Sequence, residues 1–202
     1  MERVTHTEPT GATDRELVAR AQGGEESAFA ELVERHQRRA VNVAYQLLRD
    51  EEDAVEVAQD AFVRIYRAIG EFRGECEFTT WLHQIVVNLA RNKHRWWWRR
   101  GRAVTVSFDA PVQTEEGQRR QQMAAPTDPA DVELGRAEFV RTLEQQMRKL
   151  PPKFREVLVL RNVEGLSYEE IAVVLRCSVG TVKSRIARAR EALREAMKDE
   201  LQ

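Results

Sequence analysis

Lys183, Ser184 and Arg188 place an ammonium, a hydroxyl and a guanidinium close together in the chain. Residues advance ~100° around a helix axis, so on a helix these three share one face with Ala187. Such a short, positive, hydrogen-bonding face can grip phosphate and reach base edges in a major groove. A second group, Gln84, Asn88, Arg91, Arg95 and Arg99, recurs at steps of three or four and also falls on one helix face. Amides beside arginines, interleaved with aromatics, can hold phosphate and read or stack on bases. Acids gather elsewhere, at Asp50, Glu51, Glu52, Asp53, Glu56 and Asp60. Each group has a plainer reading. The basic faces could be solvated sides of ordinary helices, and acids in a first helical turn favour the positive end of the helix dipole. A protein-docking surface is the other reading of the acids. Cys76 and Cys177 lie far apart and match no zinc spacing, so no metal or cofactor is expected and both thiols are expected reduced, separate and structural.

The elements that hold these groups can be read from spacing. The stretch Gly165 to Arg190 reads as helix, tight turn, helix. Ser167 can cap the first helix, with Glu170 reaching back as a capping box. Ile171, Ala172 and Leu175 follow at helical spacing, and Ser178 offers a second N-cap. Val182, Ile186, Ala189 and Leu193 then form one apolar stripe, opposite Lys183, Ser184 and Arg188. The second helix hides one side and shows the other, as a recognition helix must.

Composition sets the frame. In 202 residues, 42% are hydrophobic and 32% charged, with Gly and Pro sparse, which predicts a soluble, largely helical protein. The net charge of -1 gives no global excess for nucleic acid, but the charges are segregated. Arg91, Lys93, Arg95, Arg99, Arg100 and Arg102 form a block without an acid. Met1 to Thr13 is polar, and no apolar run is long enough to span a bilayer, so a cytoplasmic protein is expected.

The predicted fold class is all-α: two helical domains joined by an irregular acidic linker, the second containing the helix-turn-helix. Residues 1–13 are expected as a loose tail, 14–102 as the first domain, 103–134 as the linker and 135–202 as the second domain. Asp14 is expected to cap a helix ending at Gln22 before Gly23-Gly24. A helix over about 25–49 buries Phe29, Leu32, Val33, His36, Ala40, Val43, Ala44 and Leu47. A third, to about Ile69, buries Val55, Ala58, Phe62, Ile65 and Ile69. After the loop 70–78, Thr79 or Thr80 is expected to cap a fourth helix running to about Arg100. The consecutive tryptophans 96–98 cannot all face one way, so at least one is expected to be exposed. The segment 103–134 loses periodicity at Pro111, Gly117, Pro126 and Pro129, and Val104 to Phe108 alternates briefly. Two amphipathic helices follow, one with Phe139, Leu143, Met147 and Leu150, the other over Lys153 to Val163, separated by Pro151-Pro152.

The run Leu150 to Arg161 (LPPKFREVLVLR), then Glu164 to Ala172 (EGLSYEEIA) and Val179 to Arg185 (VGTVKSR), resembles the fourth-region domain of bacterial extracytoplasmic-function (ECF) sigma factors. Ala58 to Phe62, Phe72-Arg73-Gly74, Thr80-Trp81-Leu82 and Ile85 to Asn88 resemble the second-region domain of the same family. The spacing of Asn88 and Asn92 is similar to that of the sigma-E-like subgroup. The resemblance implies a non-enzymatic factor that binds core RNA polymerase and directs it to promoters. It implies docking of Asp53, Glu56, Gln59, Asp60 and Phe62 on the clamp helices of the largest polymerase subunit, and of the second domain on the flap of the second largest. It implies a loop, Phe72 to Thr80, that captures a flipped non-template base, with Phe72, Arg73, His83, Asn88, Arg91 and Arg95 at the proximal promoter element. It implies Ser178, Thr181, Lys183, Ser184 and Arg188 at the distal element, an anti-sigma factor as partner, and a linker threading toward the polymerase cleft. The sequence departs from the family in carrying Glu56 where Asp is frequent and His83 where an aromatic such as Tyr is frequent. A stand-alone helix-turn-helix regulator is the alternative reading; it predicts tight promoter binding without polymerase and a dimer.

Overall fold

The computed structural model describes residues 11–99 and 129–200. Among them are helices and no strand, in the order α1 (Asp14–Gln22), α2 (Glu26–Leu48), α3 (Glu51–Ala68), a 3-10 turn (Ile69–Glu71), α4 (Phe78–Arg99), α5 (Pro129–Lys149), α6 (Pro152–Leu158), a π-helical turn (Val159–Val163), α7 (Tyr168–Leu175) and α8 (Val179–Glu200). The chain forms two compact units, 1–90 and 91–202, dividing within α4. The brief alternation at Val104 to Phe108 and most of the expected linker lie outside the described residues.

In the first unit, α2 packs along α3 and α1 packs on α2. Ala40, Ala44, Ala54 and Ala61 are fully buried, and such small side chains let helix axes approach closely. Leu17, Leu32, Val43, Ile65, Leu82, Val86 and Val87 fill the remaining core. Val55 does not join it. At 39% exposure it points outward, because the buried row of α3 runs through Ala54, Val57, Ala58, Ala61, Phe62 and Ile65 instead.

The cap of α1 is Thr13 rather than Asp14. Its hydroxyl accepts from Glu16 N–H at 3.3 Å, and the Glu16 carboxylate accepts from Thr13 N–H at 2.7 Å. Asp14 is thereby free to tie α1 to α2: its Oδ2 lies 2.6 Å from His36 Nε2, and Arg35 donates to it at 3.3 Å. His36 also packs on Phe78, ring centres 5.4 Å apart. At the head of α3, Asp50 accepts from Asp53 N–H at 2.9 Å, so one member of the acidic block serves as an N-cap. Helix α4 begins at Phe78, ahead of Thr79 and Thr80, and Thr80 is buried at 1% exposure.

In the second unit, α5 starts at Pro129, earlier than expected, and Phe139 is 51% exposed rather than core. The end of α5 is held by a residue from the next helix. Arg155, 8% exposed, donates from Nε to Met147 O at 3.0 Å and from Nη2 to Leu150 O at 3.2 Å, and it also reaches Arg148 O. These are carbonyls that a helix terminus leaves without intrahelical donors. Hydrogen bonds to a charged group contribute ~1.5–3 kcal/mol each, so Arg155→Leu should cost about 3 kcal/mol of stability. Urea unfolding of the full chain would show it as a lowered midpoint.

Residues 154–160 are all buried, a run too long for one face of an α-helix. The run therefore buries α6 all round, and at Val159 the chain changes to π geometry, where Glu164 N–H reaches back to Val159 O at 3.1 Å. Gly165 turns the chain at φ 72°, in the left-handed region. Arg161 then donates to Leu166 O at 2.7 Å and lies over the Tyr168 ring, fixing the entry to α7.

Candidate nucleic-acid interface

The helix-turn-helix forms as its caps predict. Ser167 Oγ accepts from Glu170 N–H at 3.2 Å while Glu170 Oε2 accepts from Ser167 N–H at 2.7 Å. Helix α7 ends at Arg176 in the left-handed conformation, φ 51°. Ser178 then caps α8, its Oγ accepting from Thr181 N–H at 3.1 Å and lying 2.9 Å from Thr181 Oγ1. Val182, Ile186 and Ala189 are buried, holding α8 down by one stripe. Lys183, Ser184 and Arg188 are exposed on the other side. Ser178 is exposed and Thr181 half-buried, at the positive end of the α8 dipole. The five residues therefore lie together on the first turns of one helix, with two cationic side chains facing solvent.

The proximal group is divided by burial. Phe72 stacks on Trp81, ring centres 4.5 Å apart and planes at 15°, and Trp81 meets the edge of Phe78 at 6.3 Å. Arg73 is exposed beside Gly74, whose φ is 69°. Asn88 is half-buried and Arg95 exposed, with a hydrogen bond to Asn92. His83 is a correction: at 0% exposure it is part of the core of the first unit and offers no face to a base. It lies one residue after Leu82, in the inward row of α4. Among the tryptophans, Trp96 is exposed at 38% and Trp97 half-buried.

Arg91 falls in the second unit and is engaged there. Its Nε and Nη2 donate to the two carboxylate oxygens of Glu156, each at 2.7 Å, a bidentate pair in which Glu156 is 5% exposed. Sequence spacing does not reveal this pair, because Glu156 reads as an outward position of an amphipathic helix. Nearby, His94 is held below its ordinary histidine value, first by burial and then by the Arg155 charge, with Glu156 opposing. The folded chain therefore resists protonating His94 while the unfolded chain takes the proton, so stability should fall as pH drops through ~6.5. A urea midpoint that declines over this range in the wild type, and declines less in His94→Gln, would show the linkage.

In the loop, the Cys76 thiol is pushed up by burial and by Glu75 and Glu77, which disfavours the reactive thiolate. On α3, Glu56, Gln59 and Asp60 are exposed and Asp53 is half-buried. Phe62 is 8% exposed and packs inward, as its place in the apolar row of α3 predicts, so it presents little surface for docking. The outward side of α3 instead carries Val55, Val63 and Tyr66 beside the acids, with Tyr66 against the edge of Phe29 at 5.0 Å. Among the described residues no group of His, Cys, Asp and Glu could hold a metal ion, and no helix is long and apolar enough to cross a membrane.

Comparison with known proteins identifies the family. The Sigma-70 region 2 family matches residues 32–101 and the Sigma-70 region 4 family matches residues 141–193. The chain is 40% identical to the RNA polymerase sigma-H factor of Pseudomonas aeruginosa over 190 residues, 93% of this chain and 95% of that one. It is 39% identical to the ECF RNA polymerase sigma-E factor of Escherichia coli K12, covering 90% and 92%. A solved structure of CnrH in complex with the cytosolic domain of CnrY superposes with a TM-score of 0.64 at 31% identity, covering 92% of this chain and 97% of that one. The chain belongs to the sigma-70 family, as an ECF RNA polymerase sigma factor. Members of this family are transcription initiation factors.

Proposed function

We propose that this sigma factor divides promoter recognition between its two domains, 14–102 and 135–202, while α3 binds core polymerase. Lys183, Ser184 and Arg188 read the distal element from the major groove, and the positive end of α8 takes a phosphate beside them. Phe72 and Arg73 begin a loop that captures a flipped non-template base, with Asn88 on the strand next to it. Glu56, Gln59 and Asp60, with Val55 and Val63, dock on the polymerase clamp. The second domain sits on the polymerase flap. The observation that carries the reading is the exposed Lys183, Ser184 and Arg188 face set over the buried stripe of Val182, Ile186 and Ala189. The factor acts in the cytoplasm, where its polymerase is.

An anti-sigma factor controls it by covering the same surfaces. The resemblance to ECF sigma factors supports this, as does the solution of CnrH with a protein partner. Flipping a base costs a few kcal/mol, which the loop and the strand contacts must offset. A good side-chain contact to a base contributes ~1–3 kcal/mol, so Asn88→Ala should slow open-complex formation about tenfold. Permanganate footprinting of the melted bases, at saturating polymerase binding, would measure it. Equal footprints for wild type and variant would remove Asn88 from the reading face.

A further inference from the structure

Gln22 closes α1, yet its side chain serves a segment far along the chain. Its Nε2 donates to Ile69 O at 2.9 Å and to Phe72 O at 2.7 Å. Both amide protons are used. The two carbonyls bracket the 3-10 turn Ile69–Glu71, in which Phe72 N–H also bonds Ile69 O at 3.1 Å. Gln22 thus supplies donors at the carbonyl end of that turn, where the helix itself has none left.

We infer that Gln22 is a positioning residue for base capture: it sets the direction in which the loop after Phe72 leaves the first domain. The inference rests on the proposed role of that loop. Phe72 is pinned from two sides, its carbonyl by Gln22 and its ring by the stack on Trp81. Arg73 and Gly74 follow at once and are exposed, so their placement is inherited from Phe72. Gln22 is itself held. Leu17 and Val18 bury the inner side of α1, Asp14 is bound to Arg35 and His36, and Arg20 pairs with Glu25 across the Gly23-Gly24 turn. The matched region 2 segment starts at residue 32, so this support comes from a helix outside it.

The chemistry dictates the test. Glutamate has the shape of glutamine but would aim a carboxylate oxygen at two carbonyls. Lysine reaches the same place and keeps a donor. Gln22 is exposed, so neither change threatens the core. Holoenzyme made with full-length wild type, Gln22→Glu or Gln22→Lys would be assayed by run-off transcription on one promoter. All four bases would be tried in turn at each proximal and distal position. Loss of two hydrogen bonds should shrink the preference at the captured base about tenfold in Gln22→Glu, with most of it kept in Gln22→Lys. Preferences at distal positions should match wild type, and any drop in the unfolding midpoint should leave the protein fully folded at the assay temperature. A uniform loss at both elements, or an unchanged proximal preference in Gln22→Glu, overturns the inference. Absence of any proximal preference in the wild type overturns the reading of the loop, and this inference with it.

Discussion

Replacing Lys183 and Arg188 together with alanine is expected to lower run-off transcription about a hundredfold, since each side chain of this kind supplies ~1–3 kcal/mol of recognition. The fold gives no reason for collapse. Both side chains are exposed, whereas the stripe that anchors α8 lies on the other face at Val182, Ile186 and Ala189. Urea unfolding should therefore be unchanged and core binding intact. Salt dependence adds a separate signature. Removing one phosphate-binding cation reduces the slope of log affinity against log salt by about one, so holoenzyme carrying the double variant should show a visibly flatter slope. Promoter affinity measured by filter binding at several salt concentrations would check it. A variant that initiates as well as wild type would move the distal interface away from this face.

Charge reversal on α3 is expected to act at an earlier step. Glu56→Lys with Asp60→Lys places two cations where the proposed clamp contact requires acids. Like-charge juxtaposition across an interface costs several kcal/mol, so affinity for core polymerase should fall more than about a hundredfold. Both residues are exposed, and lysine is about as good a helix former as glutamate and a better one than aspartate. Size-exclusion or fluorescence titration with core polymerase would read the loss directly. Phe62 is the instructive contrast. It is 8% exposed, so Phe62→Ala should destabilise the first unit by ~3–5 kcal/mol and would lose polymerase binding by unfolding. Only the exposed positions can separate docking from stability.

Local chemistry is legible where a residue and its partner lie within one helical turn. Ser167 with Glu170, Ser178 with Thr181, and the alternation of buried and exposed residues in α8 are of this kind, because capping and amphipathicity are set by spacing alone. Even here a shift of one residue escapes the pattern. Thr13 rather than Asp14 caps α1, because Glu16 completes a capping box with the earlier residue, and Asp14 is released for His36. What spacing cannot show is a partner far along the chain. Arg91 has the pattern of a phosphate-binding group, but Glu156 takes it. Gln22 has the pattern of a last polar residue of a helix, with nothing to mark Ile69 and Phe72 as its acceptors. Arg155 likewise reads as an exposed charge but is buried against three carbonyls at the end of α5. His83 shows the reverse error. The family resemblance implies a base-facing role for it, whereas its place on the wheel of α4 buries it.

As a sigma factor, this chain should confer promoter specificity on a polymerase that lacks it. Run-off transcription with purified bacterial core polymerase, on a pool of genomic promoters and with or without the protein, tests this most directly. The predicted result is a set of discrete new transcripts that depend on the protein and vanish with Asn88→Ala or Arg188→Ala. Failure to bind core polymerase, combined with tight promoter binding by the protein alone, would rule out a sigma factor and describe a stand-alone regulator instead.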